Sequence, residues 1–294
     1  MSGDEVRESG DLDDRSLIER AAARLEEARR SAAEHRHAKA GGGRTPDLAA
    51  APEVAIDLED LAAAGYLTPR RMRSKLAEEV RLIKRSVVQT FWFQKVEHAN
   101  LIMVTSALPG EGKSFLALNL AISLACEVDF HVLLVDADFE RPVIFNRLGV
   151  FGHRGLMDVL KDPDGDIGSV ILRTNIERLS IIGPGSRDDM SSEFLSSQRM
   201  QQLARELADR YPDRLIIFDT PPLLSASEAS VLAEHVGQVV FVVEADTTPK
   251  DVVEDALERL PADVEVGVVL NKGRFSKRAS YYSYYAYKDY AGDS

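Results

Sequence analysis

The chain has 294 residues, of which 45% are hydrophobic and 29% charged, and it carries a net charge of −12. This composition is typical of a globular protein of one or two domains, and the acidic balance argues against nucleic-acid binding, which needs clustered basic residues. One cysteine, Cys126, excludes an internal disulfide and a multi-cysteine metal site, and its apolar neighbours predict a buried thiol.

Membrane and secretion signals do not stand out in the sequence. No stretch approaches the roughly eighteen apolar residues of a membrane-spanning helix, and residues 1–14 are acidic rather than signal-like. We therefore expect a cytoplasmic chain whose connection to a membrane has to come through a partner.

The N-terminal part predicts a succession of short segments. Residues 1–15 are polar and acidic, which predicts disorder. A short helix is expected from Ser16, because apolar residues follow it at helical spacing. Residues 35–52 are rich in Ala, Gly and Pro, which predicts a flexible linker. The predicted division is an N-terminal segment at 1–57, a compact domain at 58–275 and a tail at 276–294.

Apolar runs of strand length alternate with helix-length segments after a helix that is predicted over residues 71–93. Buried runs separated by helices are typical of a parallel sheet that is covered on both faces. The sequence therefore predicts an α/β fold with a mostly parallel sheet and helices on both faces. The predicted strands are 101–105, 132–135, 215–218, 239–243 and 266–270.

A glycine-rich segment, Ala107–Ser114, follows the first of these strands and opens the next helix. Its backbone N–H groups can approach phosphate oxygens, and the helix N-terminus adds its positive end. Lys113 is predicted to reach the terminal phosphates, and the Ser114 hydroxyl suits Mg²⁺. Ala107 replaces the first glycine of the usual pattern, and an ordinary turn before a helix is the alternative. The predicted fold is thus of the P-loop NTPase type, with nucleotide contacts from Pro109, Gly110, Glu111, Gly112, Lys113, Ser114 and Phe115.

Three aspartates come directly after two of the buried strands. Asp136 and Asp138 follow one strand and Asp219 follows another, and the carboxyl ends of parallel strands meet at the ligand-binding edge of a sheet. A lone aspartate there more often caps a helix, but three beside a phosphate loop favour phosphoryl-transfer chemistry. We predict catalytic roles for Lys113, Asp136 and Asp138, with Asp136 as the base, although the two acids can exchange roles. The predicted metal ligands are Ser114, Asp138 and Asp219.

Asn271 ends the last predicted strand. Its carbonyl and NH₂ groups can pair with the exocyclic amine and a ring nitrogen of adenine. The sequence therefore predicts an adenine contact, and the alternative is a plain turn residue.

Six of the eight tyrosines lie in the last fourteen residues, after a basic, turn-like stretch. Core aromatic residues are normally spread along strands and helices, so this cluster predicts a substrate for phosphoryl transfer. The alternative is an aromatic strand that docks on a sheet edge or on a partner. The predicted phosphoacceptors are Tyr281, Tyr282, Tyr284, Tyr285, Tyr287 and Tyr290.

Together these motifs resemble the bacterial tyrosine kinases, P-loop autokinases that control capsule and exopolysaccharide synthesis. The resemblance runs from Glu78 to the C-terminus, with Walker A at Pro109–Ser114, Walker A′ at Asp136 and Asp138, and Walker B at Asp219. It implies an ATP-dependent protein-tyrosine autokinase that uses Mg²⁺ and phosphorylates its tail. It also implies a ring-like homo-oligomer, a transmembrane polysaccharide co-polymerase as activator, a protein-tyrosine phosphatase, and a place at the inner face of the membrane through a partner.

The family pattern is altered at two positions. Glu140 stands where the family's A′ motif has an arginine, and the oligomerisation motif ExxRxxR reads Glu78, Arg81 and Lys84. The resemblance implies a subunit contact for these three residues, and the alternative is a solvated helix face. The N-terminal helix and the altered A′ motif resemble the subgroup found with exosortase-linked loci.

Two other classes remain open from the sequence. A ParA- or MinD-like ATPase shares the predicted fold, but such proteins carry a second lysine in the loop, where this chain has Leu108. A non-catalytic nucleotide-binding subunit would need the same loop and acids. Residues 150–192 have no predicted role.

Overall fold

The computed structural model of the chain describes residues 51–93, 96–211 and 214–273. The predicted N-terminal helix and the tyrosine-rich tail lie outside the described residues. Within the described ranges, no helix has the length and apolar character needed to cross a membrane.

The centre of the fold is one sheet of eight strands in the described part of the chain. Its order is β1-β4-β5-β3-β6-β2-β7-β8, and every neighbouring pair is parallel except β4 and β5, which are antiparallel. The strands are β1 Glu53–Val54, β2 Leu101–Ser106, β3 His131–Asp136, β4 Leu172–Thr174, β5 Leu179–Ile182, β6 Arg214–Asp219, β7 Gln238–Glu244 and β8 Glu265–Asn271.

Helices cover both faces of this sheet, and each face has its own apolar core. Helices α1 to α4 pack on one face, and α5 to α9 pack on the other. The α/β fold with a mostly parallel, doubly covered sheet is confirmed. The helices are α1 Leu58–Ala63, α2 Lys75–Phe93, α3 Lys113–Ala125, α4 Val143–Leu148, α5 Leu156–Leu160, α6 Ser191–Leu195, α7 Gln198–Arg210, α8 Ser227–Ala233 and α9 Lys250–Leu257.

Local sequence explains why α7 forms where it does. The Ser197 hydroxyl accepts a hydrogen bond from the backbone N–H of Met200, which caps the first turn. The buried side chains then recur every three or four residues, so one stripe of the helix faces the core. These buried residues are Met200, Leu203, Ala204, Leu207 and Ala208.

All five strands predicted from apolar runs are present. Strands β2, β3, β6 and β7 are buried on both faces and are therefore continuously apolar, whereas β8 lies at the sheet edge and exposes Val268 and Leu270. The helix predicted over 71–93 begins at Lys75. The prediction of a buried Cys126 is wrong: this residue is exposed, because it follows the last turn of α3 where the chain returns to the surface.

Candidate active site

The phosphate loop leaves the carboxyl end of β2 and enters α3 at Lys113. Gly110 and Gly112 have φ angles of 88° and 100°, which lie in the left-handed region that favours glycine. A Cβ atom on Gly112 would lie 2.1 Å from Nδ2 of Asn271. Glycine is therefore required at position 112 for the conformation of the loop and for its close approach to the end of β8.

The Glu111 side chain is folded into the loop and is only 2% exposed. Its carboxylate accepts hydrogen bonds from the N–H of Leu108 at 2.6 Å, from the N–H of Glu244 at 3.2 Å and from the Thr248 hydroxyl. The carboxylate thus joins the loop to the end of β7 and to the segment that follows it. The predicted nucleotide contact of Glu111 stays a prediction, and its backbone N–H is the group that can make it.

Two of the three predicted acids lie near the Lys113 ammonium, the third lies beside one of them, and all four side chains are buried. Strands β3 and β6 are neighbours in register, which places Asp136 beside Asp219. The Lys113 ammonium lies 2.8 Å from Oδ2 of Asp138, 3.8 Å from Oδ1 of Asp219 and 3.3 Å from the hydroxyl of Ser114. The structure therefore brings together the predicted lysine, serine and acids at one edge of the sheet.

The carboxylates of Asp136 and Asp219 are poorly compensated. Asp136 accepts one bond, from the N–H of Phe145 at 3.2 Å, and among the described residues its Oδ1 and both oxygens of Asp219 accept none. Burial raises the pKa of Asp136 well above its ordinary range, and the neighbouring charge of Asp219 raises it further. Burial also raises the pKa of Asp219 to about 6, although Lys113 opposes the shift.

Unpaired buried carboxylate oxygens fit a hard cation, because such a cation takes oxygen ligands. Within the described ranges, no three Asp, Glu, His or Cys side chains lie close enough to hold a metal by themselves. Mg²⁺ is commonly held by one or two carboxylates together with phosphate oxygens and water.

The Asn271 side chain contacts the loop. Its Nδ2 donates to the carbonyl of Glu111 at 2.7 Å, and its Oδ1 accepts from the N–H of Lys272 at 2.9 Å. The adenine contact predicted for Asn271 stays a prediction, and the observed role of its amide is to fasten the loop to β8.

The predicted oligomer contacts lie on α2. The Arg81 guanidinium pairs with Glu78 one turn away at 2.5 Å, and both side chains are partly exposed. Lys84 is 8% exposed, and its ammonium pairs with Glu127 after α3. Lys84 therefore contributes to packing of α2 on α3, and the subunit contact of this motif stays a prediction.

Sequence reasoning missed Asp158, which organises the region at 150–192. Its carboxylate accepts hydrogen bonds from the N–H of Gly155 at 2.8 Å and from that of Ser186 at 3.3 Å. The N–H of Leu156 donates to the carbonyl of Gly183 at 2.8 Å, so the start of α5 is joined to the turn after β5. An acid three residues after the N-cap position is a capping signal that would have indicated this contact.

Comparison with known proteins finds relatives that are named tyrosine-protein kinases. No family model matches the chain. The chain is 34% identical over 190 residues to the tyrosine-protein kinase YwqD of Bacillus subtilis (strain 168), covering 64% of this chain and 78% of YwqD. It is 33% identical over 209 residues to the tyrosine-protein kinase Etk of Escherichia coli (strain K12), covering 70% of this chain but only 28% of Etk.

Solved structures show the same fold. The chimerical protein CapA2B2 superposes with a TM-score of 0.62 at 27% identity, covering 78% of this chain and 99% of the chimera. The kinase domain of Escherichia coli Etk superposes with a TM-score of 0.59 at 31% identity, covering 68% and 76%. The septum site-determining protein MinD of Pyrococcus horikoshii has a TM-score of 0.50 at 24% identity, covering 60% and 72%, and shares the P-loop fold.

Proposed function

Because the chain belongs to the bacterial tyrosine-protein kinases, we propose that it transfers the γ-phosphoryl group of ATP to tyrosines of its own C-terminal cluster. The observation that carries the proposal is the position of Lys113. Its ammonium lies 2.8 Å from Asp138 and 3.8 Å from Asp219 at the mouth of a phosphate loop. A lysine in this place stabilises the negative charge of a phosphoryl group in transfer.

ATP and Mg²⁺ are the proposed cofactors. The phosphates would lie on the backbone N–H groups of the loop and the N-terminus of α3, as the resemblance implies. Ser114, Asp138 and Asp219 would hold Mg²⁺; all three side chains are buried at the loop, and the two unpaired oxygens of Asp219 support this assignment. When bound, the ion neutralises charge on the phosphate oxygens.

Proton transfer is assigned to a buried aspartate. Asp136 is the proposed base: it takes the phenolic proton as the tyrosine oxygen bonds to the γ-phosphorus and ADP leaves. Burial raises the pKa of Asp136, which suits a group that has to accept a proton near neutral pH. The Asp138 carboxylate accepts a hydrogen bond from Lys113, and we assign it to the metal beside the phosphates.

The acceptor is proposed to reach the site from a neighbouring subunit of a homo-oligomer. Glu78 and Arg81, which are partly exposed on α2, are the proposed subunit contacts, whereas Lys84 holds α2 against α3. Each added phosphate contributes about −1.5 to −2 charges, and the chain already carries −12. Phosphorylation would therefore loosen the assembly by repulsion, and a protein-tyrosine phosphatase would reset it.

The wider role that we propose is control of exopolysaccharide or capsule synthesis and export. Support comes from the family resemblance and from the named relatives. A transmembrane polysaccharide co-polymerase is the proposed activator, and it would hold the kinase at the inner face of the membrane.

A MinD-like ATPase is the second candidate, because the fold is shared. Leu108 occupies the position of the second loop lysine of that class, and a tyrosine cluster has no use in simple ATP hydrolysis. Both observations favour the kinase.

Incubation with MgATP, followed by mass spectrometry, tests the proposal. We expect phosphate on the six tail tyrosines of the wild type and none on Lys113→Ala, with Lys250→Ala, an exposed lysine on α9, as the matched control. The reaction is run alone and with candidate membrane activators. ATP hydrolysis without tail phosphate under all these conditions would favour the ATPase instead.

A further inference from the structure

Lys272 directly follows β8 and contacts the phosphate loop, a role that no motif indicates. Its ammonium lies 2.8 Å from the carbonyl oxygen of Gly110 and 2.8 Å from Oε2 of Glu244 at the end of β7. A single cation thus joins the loop to the neighbouring strand. The bond to Glu244 fixes the ammonium, and the ammonium in turn fixes one carbonyl of the loop.

A second loop carbonyl is held in the same way. The Asn271 amide donates to the carbonyl oxygen of Glu111 at 2.7 Å. Two consecutive peptide units of the loop, which begin at Gly110 and Glu111, therefore have their carbonyls bound by side chains at the end of β8.

The planar peptide bond gives this arrangement a consequence for ligand binding. In a trans peptide the C=O and N–H groups point in opposite directions. Carbonyls that point at Asn271 and Lys272 therefore turn the N–H groups of Glu111 and Gly112 to the other side of the loop. Neither N–H donates to another protein group in the described part of the chain, so both are available to a phosphate.

The backbone of Lys272 is held for this task. Its φ angle is 57°, in the left-handed region, which is uncommon for a residue other than glycine. Its own N–H donates to Oδ1 of Asn271 at 2.9 Å. Conformations of this kind persist where the surroundings hold them, and they concentrate at functional sites.

We propose that Lys272 is a positioning residue for phosphate binding. Its ammonium holds the Gly110 carbonyl so that the N–H groups of the loop stay aligned on the nucleotide phosphates. The tyrosine cluster begins eight residues after Gly273. The contact of Lys272 with the loop therefore places the residues that lead into the tail at the nucleotide site. This second part rests on the proposed kinase function, whereas the first concerns nucleotide binding alone.

Binding of a fluorescent N-methylanthraniloyl ADP in the presence of Mg²⁺ tests the proposal on the full chain. For Lys272→Met we expect the Kd to rise about fivefold, because a half-exposed charged hydrogen bond is lost. Lys272→Arg keeps the charge and is expected to stay within twofold of the wild type. Lys250→Met removes an exposed lysine of α9 and is the matched control.

A Kd for Lys272→Met within twofold of the wild type overturns the proposal. If Lys272→Met also lowers the unfolding midpoint of the nucleotide-free chain, a rise in Kd could come from lost stability. The variant Glu244→Gln then distinguishes positioning from stability. That variant leaves the lysine in place but removes its anionic partner, so the Kd is expected to rise about threefold, and an unchanged Kd overturns the proposal. A wild type that binds the probe without phosphorylating its tail contradicts only the kinase function.

Discussion

At the scale of single residues, the site contains buried carboxylates whose negative charge destabilises the folded chain. Asp219 is fully buried, none of its oxygens accepts a hydrogen bond from the described residues, and burial raises its pKa to about 6. In an unfolded chain an aspartate titrates near 3.9. The folded chain therefore binds this proton more tightly than the unfolded chain, and ionisation of Asp219 opposes folding.

The sign of this shift predicts a pH-dependent effect of Asp219→Asn. The destabilisation caused by the Asp219 charge is absent near pH 4, grows as the pH rises, and is fully present above about pH 6. Without nucleotide or metal, we expect the variant to be about 2–3 kcal/mol more stable than the wild type at pH 7.5 and equal to it near pH 4. Urea unfolding at both pH values measures this.

The exposed Asp255→Asn on α9 is the control for a simple change in net charge. A gain of the same size at both pH values, or a loss at pH 7.5, would contradict the assignment of the cost to the buried charge of Asp219. The same variant should lose kinase activity, because Asp219 is a proposed metal ligand.

At the scale of elements, the phosphate loop is built by its contacts with distant strands. The Glu111 carboxylate binds the end of β7, and Asn271 binds the loop from β8. The site for nucleotide phosphates is therefore shaped by the loop together with two later segments, each more than 100 residues from the loop in sequence.

Gly112→Ala should disrupt this junction. The new Cβ atom would lie 2.1 Å from Nδ2 of Asn271, and φ is 100° at this position. We expect a loss of about 2–3 kcal/mol of stability and a failure to bind nucleotide. Gly110→Ala is the control: φ is 88° but nothing lies within 4 Å of the new atom, so the expected loss is about 1 kcal/mol. Equal losses of stability in the two variants, measured by thermal unfolding, would show that the loss comes from backbone strain and not from the contact with Asn271.

Elements differ in how much of them the sequence could predict. Strands β2, β3, β6, β7 and β8 are long apolar runs, and their order with the helices predicts the parallel sheet. Strands β1, β4 and β5 are two to four residues long, which is too short for a periodic signal. Asp136, Asp138 and Asp219 were predictable because they end buried strands. The roles of Glu111 and Lys272 were not, because their partners are set by tertiary packing.

At the scale of the whole molecule, the last described residues before the tail lie at the phosphate loop, since Lys272 contacts it. Tyr281 follows Gly273 by eight residues, which span at most about 29 Å when extended. A tether of this length can reach the site of its own chain or that of a neighbouring copy. Transfer between copies, as proposed above, therefore needs a direct test.

Transfer between copies is tested by mixing two variants, one that lacks catalytic activity and one that lacks acceptor tyrosines. One chain carries Lys113→Ala with an intact tail, and the other is active but has its six tail tyrosines replaced by phenylalanine. We expect phosphotyrosine on the Lys113→Ala chain, with an initial rate that rises faster than linearly with total protein concentration. Mass spectrometry of the two tails measures this.

Wild-type phosphorylation at a rate per chain that is independent of dilution, with no phosphate on the Lys113→Ala partner, would instead establish transfer within one chain. An equimolar mixture with an active chain that retains its tail serves as the positive control.

Strand β8 also determines how the fold responds to tension. It lies at the edge of the sheet and is parallel to β7 along its whole length, from Glu265 opposite Gln238 to Asn271 opposite Glu244. A pull on the tail directed along the strand would load these backbone bonds together in shear, so the strand would not peel away bond by bond. The first contacts to yield would be those of Lys272 and Asn271 with the loop. A force on the tail would thus disturb the nucleotide-binding loop before it unfolded the domain.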